Sequence, residues 1–493
     1  MFKILFVSLF ATLCFAGCQE YEFYLPEDPN DIEKPDDGDD DGDEPTDPDY
    51  PDTSWAEGEL DWVFDMSALP EIRISVTEQQ WNTLLEAYDR NSATAEYIHC
   101  DAEFKSKGET HTFEDAGLRL RGNTSRRRPE GNGGEMHKTD NADWHHCHFM
   151  LNLRKYQKDD ARELHNVRKL HLKWHKDDSA YCRELYCYDL FRRFGIWTAV
   201  YSSYCRLWIH IEGDSEPAYY GVYEMLEAID DKYVKRRKEL FGDHDHNLWK
   251  CRWGATLNYN DIYNSVIHYD DDSDKDYTYE LKSNIENFEV AKAQLIEFTR
   301  NLTQRTGQDF HDWIASVCDV RLLLRTYAVN VAVGMWDDYW NNCNNFYIYF
   351  NSSDKNEYKF FFIPYDYDNT LGTSSHCGVQ SDSGRHDPLS WGDTDRNPLI
   401  GKILQYDDYR AIYVEALKEL CDPANQLFDY DSSVARIQLW HSLIGNYVDN
   451  DTEEDCEIKD RPAGWGNLHD YRLLDPSEEW NFFKVKSKVV SKL

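Results

Sequence analysis

Residues 358–372 read YKFFFIPYDYDNTLG. The aromatic and aliphatic run predicts a buried strand, and two carboxylates, Asp366 and Asp368, follow it directly. A carboxylate carried out of a buried strand is costly unless a cation or hydrogen-bond donors compensate it. Upstream, FYIYF (346–350) predicts a second strand, and the polar turn NSSDKNE (351–357) joins the two as a hairpin. Before the hairpin stands the Asp/Asn-rich loop MWDDYWNNCNN (335–345). Before that, DVRLLLRTYAVNVAVG (319–334) predicts a buried helix, capped by Asp319 and stopped near Gly334. The order is therefore buried helix, Asp/Asn loop, hairpin, second Asp loop.

Working outward, the first half reads differently. GLRLRG, HFMLNLR, KLHLKW, YCRLWIHIEG and YYGVYEMLEAID alternate in the manner of strands. Between the third and fourth of these, DDSAYCRELYCYDLFRRFG predicts a helix, with Asp178 or Ser179 as cap and Gly195 as stop. From about Arg236 the pattern turns helical. SNIENFEVAKAQLIEFTRNL carries Ser283 and Glu286 at capping-box spacing, with Phe288, Leu295, Phe298 and Leu302 on one face. DDYRAIYVEALKEL is a last clear helix, and no repeats are seen.

The chain has 493 residues and a net charge of -39, which argues against a general nucleic-acid polymer as partner. The charge is uneven. Gln19 to Thr53 holds sixteen Asp/Glu, one Lys and six Pro. Such a segment cannot bury enough apolar surface to fold, and its self-repulsion extends it into a tether. Ahead of it, MFKILFVSLFATLCFAGC has the short apolar run of a signal peptide and ends in FAGC, which resembles a bacterial lipobox with Cys18 as the lipid-bearing residue. Of the thirteen cysteines, eleven remain once Cys14 and Cys18 are set aside, and some could pair in an exported protein.

A strand-rich half with one inserted helix, then a helical half with an Asp/Asn loop, a hairpin and an Asp loop, is the order of parts in protein kinases. At the kinase spacing, Asp337 would orient or deprotonate a hydroxyl, Asn342 would support a metal, and Asp366 would hold the metal that bridges phosphates. GLRLRGNTSRRRP, KLHLKWHKDDSAYCRELYCYDLFRRFG, YYGVYEMLEAIDDKYV, WDDYWNNCNNFYIY and FFFIPYDYDNTLG, in this order, resemble the CotH kinase family over roughly residues 70 to 425. The resemblance implies an atypical protein-kinase-like fold and Mg-dependent transfer of the ATP γ-phosphate to Ser or Thr of proteins.

By that resemblance Asp337 is the loop aspartate, with Asp338 taking its place if the register shifts by one. Asn345 competes with Asn342 as the metal-side amide. Asp366 and Asp368 fill the two acidic positions of the family's PWDxDxTxG motif, with Tyr365 in place of Trp. Lys173 stands where a kinase places its phosphate-gripping lysine, with Glu184 as its ionic partner. Arg121, Asn123, Ser125 and Arg126 lie in the RGNTSR turn, which suits a polyphosphate. The family's following PKKS-like stretch is absent, leaving Lys138 as a replacement. Glu227 either contacts ribose or anchors the connector. The cluster His145, His146, Cys147 and His148 alternates around a strand and reads as structural or surface, not as a zinc site.

The expected architecture is α+β, a two-lobed atypical protein-kinase-like fold with a strand-rich N-lobe and a helical C-lobe. The expected boundaries are signal peptide 1–17, acidic tether 18–57, N-lobe 58–235, C-lobe 236–425 and a C-terminal extension 426–493. The expected function is an exported protein kinase that uses ATP with Mg²⁺ or Mn²⁺, acts on a Ser/Thr-bearing protein, and is anchored by its N-terminal lipid to a bacterial membrane, at the outer membrane or cell surface. The rivals are an inactive kinase-like surface binding or adhesion protein and a metal-dependent hydrolase.

Overall fold

The alternation read in the first half closes into a barrel. In the computed structural model, which describes residues 59–159, 161–271, 276–373, 382–461 and 469–493, seven strands carry it: β1 (Glu71–Val76), β2 (Ile98–Ser106), β3 (Glu109–Arg121), β4 (His148–Asn152), β5 (Lys169–Lys173), β6 (Ser202–Ile211) and β7 (Ala218–Glu227). They run in the order β1-β2-β3-β4-β5-β7-β6, and β1 pairs parallel with β6 to close the ring. The five strands expected from sequence are β3 to β7. The pair β1 and β2, with helix α1 (Glu78–Arg90) between them, completes the ring. In β2 every second side chain is buried, the period expected of a strand with one face inward. Ile72, Phe104, Leu120, Phe149, Leu172 and Leu207 fill the interior. The signal peptide, Cys18 and the acidic tether lie outside the described residues, as does Trp55, where sequence placed the start of the fold.

Helix α2 (Arg183–Arg193) follows β5 as expected. Asp178 serves it from a distance, its carboxylate accepting from Cys182 N at 3.0 Å and Arg183 N at 2.8 Å. Gly195, with φ +75°, ends it.

The second half contains more sheet than the sequence suggests. Strands β8 (Asn247–Cys251), β9 (Ile267–Tyr269), β10 (Tyr279–Leu281), β11 (Phe346–Phe350) and β12 (Phe360–Pro364) form a five-stranded sheet, ordered β12-β11-β8-β10-β9. The hairpin is β11 and β12. β8, β9 and β10 are three to five residues long, too short to show a period of their own. Around this sheet lie α3 (Phe288–Gln304), α4 (Gly307–Val317), α5 (Val320–Ala332), α6 (Asp407–Cys421), α7 (Tyr430–Ile444) and α8 (Phe482–Val490).

The capping box does not form. The Ser283 hydroxyl donates to His246 O and accepts from Leu248 N at 3.1 Å, so it ties down β8, and α3 starts at Phe288 after a single 3-10 turn. Asp319 does cap α5, accepting from Leu322 N at 2.9 Å, and every residue of that helix except Arg321 is buried.

Residues beyond 425 pack onto α2 and the barrel. The Tyr186 hydroxyl lies 2.7 Å from Ser433 Oγ, and its ring lies against Phe483 with centroids 5.2 Å apart. Arg436 pairs with Asp189 at 2.7 Å and Glu454 with Arg127 at 2.8 Å. The ten cysteines among the described residues are all free thiols, eight of them buried, so none of these is paired and they act as small apolar side chains. Among the described residues no helix is long and apolar enough to cross a membrane.

Candidate functional site

Lys173 is the last residue of β5, and its side chain is buried. Its Nζ donates to Glu184 in the first turn of α2 and, at 2.6 Å, to Asp366 Oδ1 in the loop after β12. Asp368 Oδ2 is 3.8 Å away. The lysine and both candidate metal aspartates, 193 and 195 residues apart in sequence, thus meet at one point. The chain leaves β12 with Asp366 at φ +63°, a conformation that Asp tolerates better than most residues. Asp366 N donates to the Tyr188 hydroxyl at 2.9 Å, and that hydroxyl donates on to Glu184 at 3.3 Å, so α2 orients the loop. Further along it, Gly372 has φ +102°, and a Cβ there would lie 2.5 Å from Tyr471 Cβ.

The charges do not balance. Glu224 on β7 faces Lys173 across the β5–β7 ladder and is buried. Four carboxyl groups, Glu184, Glu224, Asp366 and Asp368, therefore surround one ammonium. Burial alone would discharge Lys173, but Asp366, Glu184, Asp368 and Glu224 hold it well above its usual value. Burial would likewise raise Asp366, but Lys173 and then Arg121 bring it below the usual carboxylate range. Burial pushes Asp368 well up against the pull of Lys173, with Asp366, Glu184 and Asp337 adding repulsion. Burial and the neighbouring Glu184 push Glu224 well up as well. This excess of acid is what a divalent cation relieves. Glu184, Asp366 and Asp368 each offer an oxygen, all within 4.8 Å of one another, a hard donor set that fits Mg²⁺ or Mn²⁺.

Asp337 lines the same cleft, which has a volume of about 1170 Å³. Three amides hold its carboxylate. Asn342 donates to Oδ1, Asn345 donates to Oδ2 at 3.0 Å, and Asn344 donates at 3.2 Å. The two amides expected at the metal, Asn342 and Asn345, thus have their nitrogens committed to Asp337, which leaves only their carbonyl oxygens for a cation. Asn344, not anticipated, completes the set. Burial pushes Asp337 up to about 6 against these hydrogen bonds, and Asp366 adds to the rise.

Asp338 is not its equal. It caps the short helix Tyr339–Asn342 through Asn341 N at 2.7 Å, accepts from the Asn330 and Asn341 side chains, and is 4% exposed, off the cleft wall. The register with Asp337 toward the cleft is the one that the backbone adopts.

Arg121, at the end of β3, lines the cleft and donates to the Tyr365 hydroxyl at 2.6 Å. Asn123 lies at the cleft rim and accepts from Arg252 at 3.0 Å. Ser125 and Arg126 line the cleft too, with the Arg126 guanidinium donating to the carbonyls of Gly122, Ser92 and Thr94. Lys138 is exposed and stands outside the cleft lining.

Glu227 itself does not line the cleft, although the next residues, Ala228 to Asp230, do. It is fully buried, accepts from Arg236 and Arg237, the latter at 2.7 Å, and anchors the connector after β7. Glu224, one strand period and a residue earlier, occupies the place beside Lys173. Its signal in the sequence is the antiparallel register of KLHLK against YEMLE, which cannot be set without the pairing.

Of DWHHCH, His145 lies against Arg128 O, His146 against Tyr220 O, and His148 accepts from Trp174 N, so the three rings turn to different partners.

Sequence reasoning also passed over Lys250, in NLWKC of β8. It lines the cleft with its Nζ 5.7 Å from the Tyr365 ring centroid, and burial, with Lys282, Arg121 and Arg252 nearby, pushes it down to about 7.

No curated protein matches the chain. Residues 118–471, which start later than the resemblance read from sequence and run past residue 425, match the family of CotH kinase proteins; every cleft side chain named above falls within them, and the chain belongs to that family.

Proposed function

We propose that this chain is a metal-dependent protein kinase that transfers the γ-phosphate of ATP to Ser or Thr of another protein. The barrel with α2 is the N-terminal lobe of a kinase-like fold, and the sheet with α3 to α8 is the C-terminal lobe. The observation that carries the reading is Lys173, bound at once to Glu184 of α2 and Asp366 of the second Asp loop, in the cleft that Asp337 lines. ATP supplies the transferred group and Mg²⁺ or Mn²⁺ the neutralising charge. Asp366, Asp368 and Glu184 hold the cation, Lys173 and Arg121 grip phosphate oxygens, and Asp337, fixed by its three asparagines, takes or orients the acceptor hydroxyl proton. Such catalysis is positioning and charge neutralisation.

The test is incubation of the purified protein with γ-labelled ATP and Mg²⁺ or Mn²⁺, beside an Asp366→Ala variant. Label transfer that the variant abolishes supports the kinase. Thermal stabilisation by nucleotide without transfer supports an inactive binding protein, and release of free phosphate without labelling a hydrolase. Absence of both transfer and stabilisation with every metal tried rejects the kinase reading.

We further propose export and lipid anchoring at Cys18, with the acidic tether spacing the catalytic part from the bilayer. Labelled palmitate should enter the wild-type protein in a bacterial host and be lost from a Cys18→Ser variant.

A further inference from the structure

A second group of side chains lies away from the cleft and outside the proposed reaction. Glu109 and His111 start β3, whose other end carries the cleft residue Arg121. Twelve residues separate Glu109 from Arg121, roughly 40 Å along an extended strand. His165 approaches the same point from the loop before β5. One ligand atom from each of the three lies within 4.8 Å of the others, and His111 Nε2 is 3.3 Å from Glu109 Oε2. His165 Nε2 is buried and, among the described residues, has no hydrogen-bond partner. An orphaned imidazole nitrogen beside a second imidazole and a carboxylate requires an explanation, and a bound ion is one of the few available.

The ring geometry is prepared for such an ion. Trp62 stacks on His165 at 4.0 Å and meets His111 edge-on at 5.5 Å, while the two imidazoles stand at 72° with centroids 5.2 Å apart. The indole thus holds both rings in place, as the outer shell of a metal site does. Lys107, which also lies over Trp62, has its charge balanced by Asp65 at 2.6 Å.

We propose that Glu109, His111 and His165 bind a divalent transition metal of the zinc class, with water in the fourth position. Two imidazoles select such a metal over Mg²⁺, which prefers oxygen. The present spread is wider than the separation of roughly 3.3 Å between ligands around a tetrahedral zinc with bonds of about 2.0–2.1 Å. Glu109 is exposed and can close the gap by a change of rotamer. Bound metal would pin the β2–β3 hairpin to the loop before β5. The trio Asp243, His244 and Asp245 is different in kind, being three successive residues of one exposed loop, and serves as a control.

The experiment titrates Co²⁺ and then Zn²⁺ into the untagged full chain after chelator treatment. A four-coordinate Co²⁺ with nitrogen ligands absorbs strongly in the visible, whereas six-coordinate Co²⁺ on the carboxylates of the cleft absorbs weakly. The expected result is one equivalent of strongly absorbing Co²⁺, displaced by one equivalent of Zn²⁺. His165→Ala and His111→Gln should each weaken binding by about 100-fold or more, and Glu109→Gln by at least about tenfold. Asp366→Ala and a His244→Ala/His246→Ala double variant should leave the absorption unchanged. Glu109 is exposed, so its variant keeps the test valid if a histidine variant fails to fold. Absence of the strong bands, their survival in all three site variants, or their loss in either control overturns the proposal.

Discussion

At Lys173 the decisive quantity is the mismatch between one ammonium and four carboxyl groups, Glu184 and Glu224 buried and Asp366 and Asp368 half-buried. Lys173→Met removes the ammonium that Glu184 and Asp366 both contact and leaves their carboxyl groups without that charge to offset them. Removing one partner of a buried pair costs about 3–5 kcal/mol, so denaturant unfolding should show a loss of that order, and nucleotide-dependent thermal stabilisation should vanish. Glu227→Gln tests the opposite role. Its partner Arg237 is as buried as the acid itself and the Arg236 side chain nearly so, so a similar loss of about 3–5 kcal/mol is expected. Nucleotide binding by the molecules that remain folded should not change, and a change there would return Glu227 to the ligand site. Asp337→Asn should leave nucleotide and metal binding intact and reduce phosphoryl transfer by about 10²–10⁴-fold, the range typical of a lost general base, in a single-turnover assay. At this scale the sequence placed Asp337, Asp366, Lys173 and Glu184 through their spacing and motif context. It left Asp338 open beside Asp337 and passed over Glu224, because which side chain faces the cleft or Lys173 depends on pairing and packing that sequence order does not set.

Two elements carry predictions of their own. The loop after β12 needs Gly372, where φ is +102° and Tyr471 is too close for a Cβ. Gly372→Ala should lower stability by about 1–3 kcal/mol through strain and the displaced tyrosine, measured by chemical denaturation. Helix α8 carries Lys486, fully buried and without a hydrogen-bond partner among the described residues, its Nζ 4.8 Å from the Trp391 ring centroid. Burial pushes this amine down to about 7. In the unfolded chain a lysine titrates near 10.4. Between these values the unfolded state holds the extra proton, so the Lys486 contribution to stability grows as pH rises from about 7 toward 10 and is lost as pH falls through 7. Lys486→Met should stabilise the protein by about 2–4 kcal/mol at pH 7, with the difference closing near pH 10. A constant difference across that range would show that Lys486 does not titrate as described. At the element scale, long periodic segments such as α5 and β3 were legible. Ser283 was misjudged because a serine hydroxyl serves a helix cap and a distant strand equally well, and only the position of β8 decides between them.

At the scale of the whole molecule, residues 426–493 close the face of α2. A chain ending at residue 425 would expose Tyr186 and leave Asp189 without Arg436. Such a chain should lose its cooperative thermal transition and exchange the α2 amides rapidly with deuterium. Cooperative unfolding at the wild-type temperature would instead mark the C-terminal part as dispensable. The sequence by itself determined what local physics governs: the acidic composition of 19–53, the strands β3 to β7, the buried helix, the hairpin, and the acids set at its two ends. Tertiary structure alone decided the closure of the barrel, the five-stranded sheet, the unequal placement of Asp337 and Asp338, and the convergence of Lys173 on Asp366 across 193 residues. Periodicity and capping act over a few residues and leave their mark in the chain order. Strand pairing between distant segments and the charge balance of a buried cluster depend on separations in space, which sequence order does not record.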